Sequence, residues 1–341
     1  MPQTLATRRV LFASLLACAA LGAGPPPETM QRIFLGHPFD TWTVVGGAAK
    51  FALDETDPTR PVLTGNGPIA KNGFLVSPFL LCDFQFEAEV KIGAEMNSGI
   101  QIRSRVDDNA VRGLQVEIDP SDRKWSGGIY DEGGKGWLAS LKDNPAAQAA
   151  FKVGDWNLYR IECEGPSIRT WINGVPCSRW LECNTFSGVL AFQVHSGPKC
   201  EVAWRNPRFV PRGAYAWSAL PTAAQSTADD LTTVRIPDHC EGIAIDATGA
   251  YEVRCVTVLG KEVAAFEADL SPIEGEVAVS SGEVFVVWTR GEGKAQTSTG
   301  SMQFTIPTDS SIDALRIRVG KGGALRALRA LLPTQPLPYD R

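Results

Sequence analysis

Acidic, amide, guanidinium and imidazole side chains alternate with apolar residues in three short segments, 100–105, 113–119 and 189–195. Their polar members are Gln101, Arg103, Arg105, Gln115, Glu117, Asp119, Gln193 and His195. Carboxylates and imidazoles transfer protons in enzymes, and amides and guanidiniums hydrogen-bond to the oxygen atoms of ligands. The set therefore suits acid–base chemistry on a ligand that carries several hydroxyl groups.

Two of these residues are the strongest candidates for proton transfer. Glu117 lies between Val116 and Ile118, where partial burial would raise the pKa of its carboxyl group toward neutrality. His195 ends the third segment on the same side as Gln193, and its imidazole can act as an acid or a base. We predict that Glu117 and His195 form an acid–base pair. The alternative for Glu117 is a structural ion pair with an arginine of the first segment.

Seven further residues are predicted to hold the ligand. They are Asn97, Arg103, Gln115, Asp119, Tyr130, Trp137 and Gln193. Tyr130 and Trp137 lie in or beside a glycine-rich loop, 126–136, and aromatic side chains on such loops often stack on sugar rings. Asp119 precedes Pro120, so its alternative role is to cap the following turn.

A metal site is a second hypothesis for the same residues. Carboxylates and imidazole suit a divalent cation, which Glu117, Asp119 and His195 would share. A site of several histidines is not expected, because the chain has only 3 His and two of them lie outside the three segments. The chain has no glycine-rich phosphate loop and no G-x-S-x-G sequence, which argues against nucleotide and esterase chemistry.

The elements that must position these residues are β-strands. Alternation with a period of two gives each strand one apolar and one polar face. If the three strands share a sheet, their polar side chains form one surface for sugar hydroxyls. The alternative is an ordinary solvated sheet face.

Composition favours an all-β protein with more than one domain. The chain has 341 residues, 33 of them Gly and 23 Pro, and its net charge of −5 without a basic stripe argues against a nucleic-acid partner. One short helical turn is expected at 144–151. The predicted units are a signal peptide at 1–24, a first β-domain at 25–213, a linker at 214–233, a small β-sandwich at 234–332 and a flexible tail at 333–341.

The N-terminal segment predicts export to the periplasm or the cell surface. Arg8 and Arg9 precede an apolar run, 10–23, which is typical of a signal peptide and resembles a twin-arginine signal. Residues 15–18 resemble a lipoprotein box, in which a lipidated Cys18 would tether the protein to a membrane. The alternative is ordinary cleavage near residues 22–24.

Cysteine use is consistent with an oxidising compartment. None of the 8 Cys forms a C-x-x-C pair, which argues against a structural zinc site. In such a compartment Cys240 can pair with Cys255, and disulfides can also form within the group Cys163, Cys177, Cys183 and Cys200. Cys82 is expected to be a buried free thiol.

Six short phrases in order resemble one known family. They are NSGI at 97–100, GLQVEID at 113–119, GGIY at 127–130, DWNLYR at 155–160, WINGV at 171–175 and FQVHSG at 192–197. Together they resemble the 3-keto-disaccharide hydrolase domains across most of 31–210. The resemblance implies a concanavalin-like two-sheet jelly roll with a ligand groove on its concave face.

The same resemblance implies a reaction. Family members are expected to cleave glycosides whose sugar is oxidised to a ketone at carbon 3, which acidifies the hydrogen on carbon 2 and allows elimination of the glycosidic oxygen. That chemistry needs a base, a group that stabilises the enolate and an acid. Many members place Glu before Gln in the central strand, whereas this chain has Gln115 and then Glu117.

The sequence therefore supports three hypotheses for the function. The first is an exported carbohydrate-active enzyme, in which Glu117 and His195 act on a 3-keto-glycoside. The second is a noncatalytic glycan-binding or surface-attachment module that uses the same face. The third is a structural envelope protein. The resemblance does not cover residues 214–341, and the sequence does not identify a partner for the C-terminal domain.

Overall fold

The computed structural model describes residues 30–182, 185–199, 201–220, 225–228, 231–237, 240–248, 250–256, 262–269, 283–289, 294–297, 303–305, 314–319 and 323–334. The predicted signal peptide with Cys18, the cysteines Cys183 and Cys200, and residues 335–341 of the predicted tail lie outside these ranges. No helix within the described residues is long and apolar enough to cross a membrane.

Strands are the main regular elements of residues 30–220. They are β1 (Gln31–Arg32), β2 (Thr43–Gly46), β3 (Lys50–Asp54), β4 (Val62–Asn66), β5 (Gly73–Leu81), β6 (Asp83–Ile92), β7 (Ser98–Asp107), β8 (Ala110–Ile118), β9 (Ile129–Glu132), β10 (Gly136–Ala139), β11 (Asn157–Glu164), β12 (Ser167–Ile172), β13 (Val175–Leu181), β14 (Gly188–Val194) and β15 (Glu201–Ala219). The helical elements are α1 (Ile33–Gly36), a 3₁₀ turn (Phe39–Thr41) and α2 (Pro145–Gln148).

These strands form two antiparallel sheets. One has the order β13-β12-β11-β6-β15, with β1 and β4 also paired to β15 and β3 paired to β4. The other, which we call the site sheet, has the order β10-β9-β8-β7-β14-β5-β2. The predicted all-β fold with a two-sheet jelly roll is confirmed.

The core lies between the two sheets, and alternation decides which side chains enter it. Val116 and Ile118 of β8 and Phe192 of β14 are fully buried in one apolar cluster with Phe86 of β6 and Trp204 of β15. Each such side chain contributes about 1.5–3 kcal/mol by leaving water. Because strand side chains alternate, the residues between these apolar positions face away from the core.

The remaining strands belong to the C-terminal part. They are β16 (Gln225–Ala228), β17 (Leu231–Arg235), β18 (Gly242–Thr248), β19 (Ala250–Val256), β20 (Glu262–Asp269), β21 (Glu283–Thr289), β22 (Lys294–Thr297), β23 (Gln303–Thr305), β24 (Ala314–Val319) and β25 (Ala324–Thr334). Strands β25-β18-β21-β22-β23 continue the sheet that contains β15, and β16-β17-β24-β19-β20 form another sheet. The predicted second β-unit is thus present.

Strands occupy much of the described part of the predicted linker, 214–233. Residues 214–219 are the end of β15 and pair with β25, and the rest contains β16 and the start of β17. Tyr215 and Trp217 pack against a buried cluster of Leu181, Phe186 and Leu331, which joins the two parts of the chain.

The helical turn is confirmed, but the cysteine pairings are not. Helix α2 begins after Asn144, whose side-chain oxygen accepts from the backbone N–H of Ala147 at 3.1 Å. Cys163 and Cys177 are buried free thiols, so their predicted disulfides are wrong. The thiol of Cys240 donates to the carbonyl of Gly242, so the predicted pair with Cys255 is wrong too. Cys82 is buried, as expected.

Candidate functional site

The outward face of the site sheet carries the predicted polar side chains. Strand β7 pairs with β8 on one side and β14 on the other. Gln101 lies opposite Gln115 in β8 and Ala191 in β14, while Gly99 lies opposite Glu117. Parity along β14 puts Gln193 on this face as well.

Four side chains on this face form one chain of hydrogen bonds, which we call the amide relay. Ser104 Oγ donates to Gln101 Oε1 at 2.7 Å, and Gln101 Nε2 donates to Gln115 Oε1 at 2.7 Å. Gln115 Nε2 then donates to Glu117 Oε2 at 3.1 Å. The relay therefore directs its donors toward the carboxylate.

A glycine makes room for the relay. A Cβ atom added to Gly99 would lie 2.3 Å from Cδ of Gln115 and 2.6 Å from its Oε1. Such distances are too short for any side chain at position 99, so glycine allows Gln115 to lean over β7 and reach both neighbours.

Glu117 is the most perturbed carboxyl group of the site. It is only 4% exposed, and burial raises its pKa to about 7, although hydrogen bonds from Asn97 and Gln115 oppose the shift. The bond from Asn97 Nδ2 to Oε1 is 2.6 Å long. At neutral pH this carboxyl group is divided between its acid and base forms, which suits proton transfer.

An open pocket of about 530 Å³ lies at one end of the site sheet, and it is lined by Asn97 and Asp119, the neighbours of Glu117, rather than by Glu117 itself. Asn97 directly precedes β7, Asp119 follows β8 and His195 follows β14. Because these strands are antiparallel, all three residues lie at the same end of the site sheet. The lining residues are Ala94, Glu95, Met96, Asn97, Asp119, Ser121, Arg123, His195, Ser196, Gly197, Pro198 and Lys199. Asn97 thus belongs to the pocket and contacts Glu117 behind it.

Asp119 is held by its own loop. Burial opposes ionisation of its carboxyl group, but hydrogen bonds from Arg123 and Ser121 outweigh that effect and lower its pKa. Arg123 Nε donates to Oδ2 at 2.7 Å, and Ser121 Oγ donates to Oδ1 at 2.6 Å. Asp119 therefore also plays the turn-capping part given as its alternative role.

His195 lies next to two residues that the sequence analysis missed. Its Nδ1 donates to the carbonyl of Ser196 at 2.9 Å. Asn72 connects this loop to Glu132 of β9, because its Oδ1 accepts from the Ser196 N–H and its Nδ2 donates to Glu132 Oε1. Burial raises the pKa of Glu132, and the charge of His195 opposes that shift. Glu132 lies two residues after Tyr130 and therefore on the same face of β9. This alternation in the sequence could have identified Glu132 as a site residue.

The prediction that Arg103 contacts the ligand is corrected. A β-bulge lies between Gln101 and Arg105 of β7, and Arg103 within it has a φ of 46°. The bulge turns the side chain away from the polar face, where it is fully buried. Its guanidinium forms an ion pair with Asp83 at 2.8 Å and donates to the carbonyls of Cys82 and Gly165. Arg103 therefore joins β7 to the opposite sheet.

Tyr130 and Trp137 extend the polar row. Tyr130 of β9 lies opposite Gln115, and Trp137 of β10 lies opposite Tyr130, with ring centroids 5.3 Å apart. Trp125, which directly precedes the glycine-rich loop, belongs to the same cluster, and so does Arg123, which the sequence analysis did not select.

Gln193 lies in a different environment. It is fully buried, and neither polar atom of its amide has a hydrogen-bond partner within the described residues. The neighbouring part of the face is apolar and contains Val45, Phe74, Val76, Val111 and Ala191. The face is therefore polar only toward the pocket.

The predicted mixed metal site is not formed. Among the residues that the structure describes, no three His, Cys, Asp or Glu side chains come together as ligands for a metal ion. Glu117 is bonded to amides and Asp119 to Arg123 and Ser121, so neither carboxylate points at a shared ion position.

Comparison with known families confirms the resemblance seen in the sequence. The model of the 3-keto-α-glucoside-1,2-lyase-like domain matches residues 29–210, just over half of the chain. The chain belongs to this family. The site described above lies wholly within the matched, carbohydrate-related domain.

Solved structures similar to this chain each cover about half of it. A carbohydrate-binding module from Bacillus subtilis is 16% identical, with a TM-score of 0.39 over 50% of this chain and 94% of that one. A Bacillus subtilis protein of unknown function with a galectin-like fold is 12% identical, with a TM-score of 0.36 over 51% of this chain and 92% of that one. No curated protein matches the sequence.

Proposed function

We propose that residues 25–213 form a carbohydrate-active enzyme that cleaves 3-keto-glycosides by elimination, followed by addition of water. The observation that carries the proposal is Glu117, a buried carboxyl group with a pKa of about 7 behind an open pocket. Membership of the 3-keto-α-glucoside-1,2-lyase-like family supports the choice of substrate.

In the proposed reaction Glu117 is the base. Its carboxylate takes the proton from carbon 2, and the electrons of that C–H bond form a double bond between carbons 1 and 2. The bond between carbon 1 and the glycosidic oxygen breaks, and the leaving oxygen takes a proton from His195. Water then adds to carbon 1, carbon 2 regains a proton, and a free 3-keto sugar is released.

The hydrogen bonds around Glu117 suit this role. A carboxylate has about four lone-pair positions, and Asn97 and Gln115 use two of them, so positions remain for a substrate proton. A base works best when its pKa is near the working pH. We assign Asn97, Gln115 and Gln193 to positioning the sugar, with Asp119, Tyr130 and Trp137 around the pocket.

Turnover of a defined substrate tests the proposal. The purified chain incubated with a 3-keto-glucoside should release the free keto sugar, and Glu117→Gln and His195→Ala should each lower kcat by about 10²-fold or more. Glu89→Gln is the matched control, because Glu89 lies on the other sheet and is bonded to Arg205. Unchanged turnover in both site variants would refute the assignment.

A glycan-binding module is the second candidate, and the aromatic cluster favours it. Tyr130, Trp125 and Trp137 are half-buried and form one cluster with Arg123, which lines the pocket, and aromatic rings can bind sugars without catalysis. Calorimetric titration with unmodified glycans separates the two functions. Tight binding without any turnover of 3-keto-glycosides supports the module; weak binding with turnover supports the enzyme.

We also propose that the protein is exported, on the evidence of residues 1–24. Mass spectrometry of the protein recovered from the cell envelope decides between the two processing routes. A lipidated Cys18 at the mature N-terminus supports a membrane tether, whereas a mature chain that begins near residues 22–25 supports a released protein. An intact N-terminus in the cytosol contradicts export.

A further inference from the structure

Arg123 lines the pocket and is held on three sides. Its Nε donates to the buried carboxylate of Asp119 at 2.7 Å. Its guanidinium carbon lies 5.2 Å from the ring centre of Trp125 and 4.9 Å from that of Trp137. The two indole rings are themselves in edge contact, with centroids 4.7 Å apart. We call this group the arginine platform.

The platform leaves two donors available. Within the described residues, Nη1 and Nη2 of Arg123 make no hydrogen bond to the protein, and 43% of the side chain is exposed. A guanidinium presents parallel N–H groups that match a pair of adjacent oxygen atoms. Because Asp119 and the indoles already fix the side chain, little of its freedom is lost when a ligand binds.

Charge decides which oxygen atoms fit. The carboxylate of Asp119 offsets the charge of Arg123, and the ammonium group of Lys199, which also lines the pocket, is paired with Glu95 at 3.1 Å. These two ion pairs leave Arg123 and Lys199 no uncompensated charge to attract a phosphate or a carboxylate. Adjacent hydroxyl groups of a neutral sugar need only the directed N–H donors, and the indole rings offer apolar surface to the ring carbons.

The platform lies close to Glu117 along the chain. Asp119 follows Glu117 by two residues, or about 7 Å along the strand direction. A second ring joined to a sugar at Glu117 can therefore lie beside the platform.

We propose that Arg123, Trp125 and Trp137 form a second sugar subsite, which binds the adjacent hydroxyls of a neutral ring on the leaving-group side. This subsite rests on the proposed function only for the statement of which ring leaves. Arg123 is a specificity-determining residue rather than a catalytic one.

The subsite is tested by comparing the activity of the whole chain on two substrates. One is a 3-keto-glucoside whose leaving group is a second glucose ring, and the other is the methyl 3-keto-glucoside. We expect kcat/KM to be at least tenfold higher for the two-ring substrate, and Arg123→Gln to remove at least tenfold of that preference. Arg123→Lys should also lose most of the preference, because an ammonium lacks the parallel donors.

Arg112→Gln is the matched control. Arg112 is exposed to a similar extent, 39%, and pairs with Asp107 outside the pocket at 3.6 Å, so its loss should leave the preference intact. Arg123→Lys keeps a cation beside Asp119 and carries the test if Arg123→Gln does not fold. An Arg123 variant that retains the preference, or that loses activity equally on both substrates, overturns the subsite.

Binding separates this subsite from the proposed reaction. Titration with an unmodified glucose disaccharide and with methyl glucoside should show tighter binding of the disaccharide, dependent on Arg123. If the protein cleaves neither keto substrate but shows this difference, the subsite stands and the proposed reaction fails. If the protein cleaves both keto substrates without preference, only the subsite is overturned. If it cleaves neither substrate and binds the two unmodified sugars equally, both the subsite and the proposed reaction are overturned.

Discussion

At the scale of single residues, Glu117 combines two opposing effects. Burial disfavours its charged form, whereas amide donors from Asn97 and Gln115 favour it, and burial wins. All donors of the amide relay point toward the carboxylate. When Glu117 binds a proton, the relay can reverse, because the Ser104 hydroxyl has the carbonyls of Ile102 and Leu114 at 3.1 Å as other acceptors.

The first prediction concerns the pH dependence of the reaction. If Glu117 is the base, kcat/KM for a 3-keto-glucoside should rise with pH and level off above a midpoint near 7, the raised pKa of this group. Asn97 lowers that pKa, so Asn97→Ala should move the midpoint to higher pH. A midpoint near 4.5, or one unmoved in Asn97→Ala, would count against Glu117.

The second prediction concerns stability. The pKa of Glu117 is raised from 4.5 to about 7 on folding, so the folded state holds the proton more tightly than the unfolded state. Its contribution to stability is fully present below about pH 4.5 and is lost as the pH rises through 7, at a cost of about 3 kcal/mol. In Glu117→Gln this part of the pH dependence should vanish, and urea unfolding at pH 5 and pH 8 measures it. An identical slope in both proteins would contradict the shift.

At the scale of elements, β7 both carries site residues and connects the two sheets. Its first half carries Gly99 and Gln101 on the polar face, and its bulge sends Arg103 through to the other sheet. Site geometry and sheet packing are therefore set by the same strand.

Two glycines give the third prediction. Gly99→Ala should displace Gln115 and disturb the relay, at an overpacking cost of about 1–3 kcal/mol. Gly188→Ala would place a Cβ 2.3 Å from the backbone of Arg103 and Ser104, which cannot move aside as a side chain can. We expect the first to lose activity while remaining folded and the second to lower Tm more. Calorimetric melting and turnover measure both, and the opposite order would be evidence against this account.

The buried ion pair gives the fourth prediction. Removing one partner of a buried pair leaves the other charge without compensation, so Arg103→Leu should cost about 3–5 kcal/mol. Arg60→Leu, which breaks a pair exposed on the outer sheet face, should cost less than about 1 kcal/mol. Chemical denaturation compares the two. Equal costs would mean that Arg103 is not the structural residue described here.

At the scale of the whole molecule, β15 is shared by both parts of the chain. Its first half pairs with β4 and β6, and its end pairs with β25. Phe186 adds a side-chain connection, since its ring contacts Trp217 at 5.9 Å and also faces the Arg103 guanidinium. The two parts should therefore not unfold independently.

The fifth prediction follows from that sharing. Phe186→Ala should destabilise the protein by about 3 kcal/mol, and Phe186→Leu by less than about 1.5 kcal/mol. Both variants and the parent chain should melt in one calorimetric transition. Two transitions, of which Phe186→Ala shifts only one, would show that the parts are independent.

Strand parity explains why part of the site was predictable. Gln101, Gln115 and Glu117 alternate with apolar neighbours, and alternation is a local property of extended backbone. Arg103 obeys the same pattern in the sequence, yet a bulge breaks the parity in the folded strand. Asn72 and Arg123 come from loops and Glu132 from the end of β9, and the positions of these elements depend on long-range packing.

By itself, the sequence determined that the chain is all-β, that three strands have an apolar and a polar face, and that Glu117 lies among apolar neighbours. Hydrophobic burial and backbone geometry act residue by residue, so these properties depend on the local sequence. Only the tertiary structure decided that Arg103 serves the core, that residues 214–219 continue β15, and that Arg123 lies beside the pocket. Those outcomes depend on the pairing register and on bulges, which are decided by contacts between residues far apart in the chain.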